Sequence, residues 1–246
     1  MTKKTQKPEE SKYGFLKTLA AAIICATIVR SFFFEPFHIP SSSMKPTLLI
    51  GDYIFVSKFS YGYSRYSFPF GIKFFEGRFW YSTPKRGDVA VFRLPSNPSI
   101  NYVKRIIGLP GDAIQVREGT LYINNKRIEK VSDGIFNDET YRIPTVEIAK
   151  FIETLPEGKV IETLDQRESD VDDTGIYQVP EGHYFMMGDN RDNSQDSRFQ
   201  NLVGYVPEEN LVGRALCVFF SSEQGLWQFW NWGHSIRFNR VFKKID

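Results

Sequence analysis

The chain has 246 residues, room for one sizeable domain or a domain with a subdomain. An apolar content of 41% supports a packed core, and 24% charged residues is ordinary for a globular chain. The formal net charge is +2 and no run of like charge forms a basic stripe, which argues against nucleic acid binding.

The N-terminus "MTKKTQKPEESKYGFLK" is polar and lysine-rich, and an apolar run follows from Thr18 to Val29. Phe15 to Phe34 is about long enough to cross a bilayer if Lys17 and Arg30 snorkel toward the two surfaces. Lys3, Lys4, Lys7, Lys12 and Lys17 precede this span, so the positive-inside rule keeps that side cytoplasmic. A cleaved secretion signal is the competing reading. Ala20-Ala21-Ala22 would cut in mid-run and no small-x-small site follows. An uncleaved anchor over 13–34 is therefore expected, after a cytoplasmic tail at 1–12, with the remaining chain outside.

From Gly51 onward short runs rich in β-branched and aromatic residues alternate with turn residues. "DYIFVSKF", "DVAVFRL", "NYVKRIIG", "DAIQVRE" and "TLYINNKRI" read as strands. Lys85-Arg86-Gly87-Asp88, Pro110-Gly111-Asp112, Glu118-Gly119 and Asn124-Asn125 read as the turns between them. "HYFMMGD" and "LVGRALCVFF" add strands near the C-terminus. The spacing predicts a mainly β fold, an antiparallel sheet or barrel-like core in two parts, 35–130 and 182–246. The stretch between them, 131–181, is more polar and irregular, and is expected to be an inserted cap subdomain.

Tyr61 to Tyr81 holds ten aromatics in twenty-one residues. It reads either as a local aromatic core under a long loop or as a surface that meets the bilayer beside the anchor. "LWQFWNWGHSIRFNRVFKK" is a second aromatic and basic patch of the same kind. Cys25 and Cys217 belong to no CxxC, and His38, His183 and His234 lack metal-ligand spacing, so neither disulfide nor metal is expected. "DNRDNSQDSRFQ" fails as a calcium loop: Arg191 occupies the third ligand position, and the sixth and twelfth lack glycine and glutamate.

"FHIPSSSMKPTLLIGD", Phe37 to Asp52, sets three serines in a row. A serine hydroxyl is a poor nucleophile until a base takes its proton. His38 lies close in sequence, but Ile39 and Pro40 extend the chain away from the serines. His183 and His234 stay open, because triads assemble from distant segments, though no G-x-S-x-G elbow supports them. A lysine is the other option. Its free pKa of about 10.4 must fall near 7, at roughly 4.6 kcal/mol against the ammonium, which burial can supply. Lys104 in "NYVKRIIGLPGD", flanked by Tyr102, Val103, Ile106 and Ile107, has suitable surroundings, although Lys104-Arg105 could equally be an exposed pair.

Three stretches carry a resemblance: "FHIPSSSMKPTLLIGDYIFVSKFSYG", "NYVKRIIGLPGD" and "GDNRDNSQDSRFQNLVGYVPEENLVGRA". In order, and after an anchor, they resemble the conserved boxes of bacterial type I signal peptidases, which work by a Ser/Lys dyad. The resemblance implies Ser43 as nucleophile and Lys104 as general base. It implies an oxyanion hole from the Ser41 hydroxyl and the Ser43 N–H, Ser194 as the residue orienting the lysine, and Asp196 with Arg198 as a structural ion pair. Ile39, Pro40, Met44, Leu48, Tyr102 and Val103 match positions that line the pockets for small side chains. Ser42 stands where many members have glycine, and Asn101 where an acidic residue is common. The implied substrates are signal peptides of exported preproteins, cut after small-x-small motifs. The implied enzyme needs no cofactor, acts as a monomer, and sits single-pass in the bacterial plasma membrane with its catalytic domain outside, against the lipid. An anchored β-rich binding module without chemistry is the alternative. A self-cleaving Ser/Lys regulator would need a DNA-binding domain, for which there is no room before Ser43.

Overall fold

A computed structural model of the chain describes residues 12–68, 71, 75–138, 146–166, 169–223 and 235–245. His234, the first nine residues of the second aromatic patch (226–234) and nearly all of the tail at 1–12 lie outside the described residues.

The apolar run forms helix α1 (Lys12–Phe32). Among the described residues it is the one helix long and apolar enough to cross a membrane, and it is almost wholly exposed. Its two threonines turn inward on the backbone, Thr18 to the Gly14 carbonyl at 3.1 Å and Thr27 to that of Ile23 at 2.8 Å. That satisfies hydroxyls which lipid could not. Arg30 in the last turn complements the helix dipole.

Fourteen strands follow among the described residues: β1 (Phe34–His38), β2 (Asp52–Ser57), β3 (Val89–Leu94), β4 (Asn97–Gly108), β5 (Ala113–Arg117), β6 (Thr120–Ile123), β7 (Lys126–Arg127), β8 (Glu129–Asp138), β9 (Val146–Thr154), β10 (Val160–Asp165), β11 (Tyr177–Gln178), β12 (His183–Met187), β13 (Val206–Pro207) and β14 (Leu211–Ser221). They pair antiparallel in three sheets, ordered β1-β2-β14-β3-β4-β12-β13, β11-β5-β6-β7 and β10-β9-β8. The fold is mainly β, as the run-and-turn spacing predicts.

The large sheet is buried on both faces. Val89 and Val91 of β3 point into one cluster with Ile54, Val56 and Val218, while Ala90 and Phe92 point into another with Ile106 and Tyr184. The β6–β7 hairpin turns on Asn124 and Asn125, both left-handed at φ 53° and 61°. Asparagine tolerates that conformation, and a turn of this hand matches the strand twist.

Two elements depart from the sequence reading. β1 contains Pro36, which breaks a strand pattern, yet all five residues pair with β2. β1 is the first strand of its sheet, and an edge strand tolerates a missing N–H. The stretch 131–181 is not one insertion. Its first part belongs to the β8–β9–β10 sheet, which already begins at Glu129. Its last part returns to the core, where Tyr177 and Gln178 pair with Ile114 and Ala113. The β8 residues are mostly exposed, so polar side chains hide a regular strand.

The aromatic stretch is partly a local core. Tyr61, Tyr63 and Tyr66 are buried, whereas Trp80 is 78% exposed. α1 joins the sheet with one residue between helix and strand. Buried Glu35 locks this joint, pairing with Arg30 and with Lys58, each at 2.6 Å.

Candidate active site

Three segments converge on one groove of about 690 Å³. The loop between β1 and β2 brings Ser41, Ser42 and Ser43, β4 brings Lys104, and the loop after β12 brings Asp192 to Gln195. Lys104 and Ser43, sixty-one residues apart, meet at 2.5 Å from Nζ to Oγ. Both are buried. β4 is exposed from Asn97 to Asn101 and buried from Lys104 to Gly108, so Lys104, opposite Ala90, opens the packed half of the strand while Asn101 stays exposed.

Burial pushes the Lys104 amine down to about 8. The Asp196 and Asp189 carboxylates oppose that fall and the Arg198 guanidinium assists it. Burial would raise the Asp196 carboxyl, but the Arg198 pair and the Gly188 N–H hold it below its ordinary value. Arg198 also donates to the Arg191 carbonyl at 2.5 Å.

The loop that carries Ser41 to Ser43 is tied down from several sides. The Ser43 carbonyl accepts from the Asn190 N–H at 3.1 Å. Ser42 receives both the Asn190 amide, at its carbonyl, and the Asn193 amide, at its hydroxyl. Asp189 accepts two hydrogen bonds from Arg105 at 2.8 Å and one from Thr47 at 2.5 Å. It thus joins the β12 loop, the lysine strand and the nucleophile loop. Arg240 donates to the Thr47 carbonyl and to Asp52, whose carboxylate also caps the Leu49 N–H. Asp189, Arg105 and Arg240 are absent from the sequence-level site. The first two stand inside its boxes, and Arg240 lies beyond them with no signal to find it.

Gly188 is a further omission. A Cβ there would stand 2.2 Å from Ser194 Oγ and 2.5 Å from the Ser43 carbonyl oxygen. The carbonyl is backbone and cannot swing aside. We expect Gly188→Ala to displace the nucleophile loop, lower kcat about a hundredfold and cost about 1–3 kcal/mol of stability. Unchanged kcat in a purified variant would refute the close packing.

Most expected residues meet here. Ser41 Oγ lies 3.3 Å from Ser43 Oγ, and Ile39, Pro40, Met44, Tyr102 and Val103 line the groove. Leu48 does not. Its N–H bonds the Met44 carbonyl in a turn, and its side chain is fully buried in the core beneath the groove. Ser194 lines the groove without bonding Lys104. Its hydroxyl helps keep the Asp196 carboxyl low, while the Lys104 amine bonds Ser43. His38 stands on the rim against Tyr53, ring centroids 4.7 Å apart, and His183 bonds the Glu181 carbonyl at 2.9 Å, outside the groove. Asp165, Asp172 and Asp192 cluster closely enough to hold a cation, but Lys130 already pairs with Asp165.

A buried amine touching a hydroxyl, in a groove bordered by a strand edge, is the equipment of a serine hydrolase acting on extended chains. The chain belongs to the signal peptidase family, peptidase S26, whose model matches residues 13–220. The signal peptidase I of Rickettsia typhi is 40% identical over 268 residues, covering 99% of this chain and 96% of that protein. The signal peptidase I of Rickettsia prowazekii is 40% identical, covering 98% and 95%. A solved signal peptidase I from Enterococcus faecalis aligns with 54% of this chain at 29% identity and a TM-score of 0.32.

Proposed function

We propose that this chain is a membrane-anchored endopeptidase that removes signal peptides from exported preproteins after small-x-small motifs, using Ser43 and Lys104. The observation that carries the reading is the short contact between the Lys104 amine and the Ser43 hydroxyl at the floor of the groove. Neutral Lys104 takes the Ser43 proton as Oγ attacks the scissile carbonyl. The Ser41 hydroxyl and the Ser43 N–H stabilise the oxyanion, where one donor contributes about 2.7–4 kcal/mol. The lysine returns its proton to the leaving amine, and an acyl-enzyme remains. Water loses a proton to Lys104 and attacks the ester; the lysine then returns that proton to Ser43 Oγ as the ester C–O bond breaks, which frees the signal peptide and restores both groups.

β12 pairs with β4 from Arg105 to Gly108, and among the described residues no strand covers the groove edge of Ile100 to Lys104. A substrate strand adds there by main-chain hydrogen bonds. Ile39 and Met44 give the groove an apolar wall, which suits small apolar side chains. With α1 in the bilayer and the domain outside, enzyme and signal peptide share one membrane, which raises their encounter rate. A binding module gives no account of a buried lysine whose amine meets a serine hydroxyl, where buried Lys45 and Lys58 each meet a carboxylate.

The test is cleavage of an Ala-x-Ala precursor by the purified full chain, beside Ser43→Ala. Because only neutral Lys104 accepts a proton, kcat/KM should rise about tenfold per pH unit below 8 and level off above it. Equal cleavage by Ser43→Ala, or a flat acidic limb, would refute the mechanism.

A further inference from the structure

The β8–β9–β10 sheet supplies no group to the groove, yet buried charge fastens it to both walls. Lys45, two residues after Ser43, is fully buried, and its Nζ lies 2.6 and 2.5 Å from the two oxygens of Asp138 at the end of β8. The Lys45 N–H bonds the Ser42 carbonyl at 3.1 Å, so the same residue holds the turn that presents Ser43. On the other wall Arg191 makes two 2.7 Å bonds to Glu153 of β9, and the Leu164 N–H of β10 donates to the Asp189 carbonyl.

Stability alone does not account for such pairs, since apolar residues of equal volume commonly do as well. What an ion pair adds is direction and distance. The leading charges on the Lys104 amine are Asp196, Asp189 and Arg198. What Lys45 adds is the geometry of the turn that presents Ser43.

Resting on the Ser43 reading above, we propose that Lys45 and Asp138 are positioning residues, through which the β8–β9–β10 sheet sets the place of the Ser43 hydroxyl against Lys104. The sheet is then a brace for the reaction and not merely a cover.

The experiment separates positioning from stability. Lys45→Met, Asp138→Leu and the double variant are made in the full chain, and Tm, kcat, KM and the pH profile are measured with the Ala-x-Ala precursor. Each single variant removes one side of the buried ion pair and loses both Tm and activity. The double variant should regain most of the Tm while kcat stays at least about tenfold down, with KM little changed and the acidic limb still near 8. Recovery of kcat along with Tm overturns the proposal. If the double variant does not regain its Tm, Asp138→Glu decides. It keeps the charge but lengthens the arm by one methylene, and about tenfold lower kcat at native Tm supports positioning, whereas wild-type kcat overturns it. Ser43→Ala in the same series guards the underlying reading: if it cleaves, the nucleophile assignment fails, independently of the brace.

Discussion

Lys104→Met should lose precursor cleavage by about four orders of magnitude or more while melting at a higher temperature than the wild type. The two effects share one cause. Burial lowers the Lys104 amine from 10.5 to about 8, and at 1.36 kcal/mol per tenfold change in proton affinity the fold bears up to about 3 kcal/mol. The sign is settled by proton counting. Between pH 8 and 10.5 the unfolded chain holds the proton that the folded chain has released, so stability rises with pH across that window. Below pH 8 the whole cost is present. Methionine fills the same volume without a charge, at the loss of one hydrogen bond of about 1 kcal/mol. The gain in Tm should be clear at pH 7, at about 2–4 °C per net kcal/mol, and should fade toward pH 10. A calorimetric scan showing Lys104→Met less stable at pH 7 would remove burial as the origin of the lowered amine.

Asp189→Ala carries the largest expected stability loss. Asp189 and Arg105 are each 1% exposed, and removing the carboxylate leaves a guanidinium buried without its partner. Breaking a pair of this kind costs about 3–5 kcal/mol. The Thr47 tether goes with it, so the nucleophile loop loosens and activity falls further. A second readout distinguishes this from general unfolding. The Asp189 carboxylate holds the Lys104 amine up, and its removal should move the acidic limb of kcat/KM below pH 8 in whatever active fraction remains. A limb that stays at 8 would mean that Asp189 exerts no field on the lysine.

Much of this was legible because it is local. Turn residues such as Asn124-Asn125 force a chain reversal wherever they stand, and runs like "DVAVFRL" carry their own pairing pattern. β1 was hidden because whether Pro36 breaks a strand depends on being at an edge, a property of the sheet. β8 was hidden because its residues are mostly exposed, so little apolar alternation marks it. Leu48 was misplaced because matched position within a box does not say which way a turn directs its side chain.

The sequence by itself determined the order of apolar helix, strands and turns, since each rests on side chains within a few residues of one another. It also placed the three boxes by which the family is known. Only the tertiary structure decided that a lysine and a serine sixty-one residues apart would touch, and that the lysine would lie dry beside Asp189, Asp196 and Arg198. Hydration of an amine is set by everything packed around it, and those atoms arrive from segments that no local pattern connects.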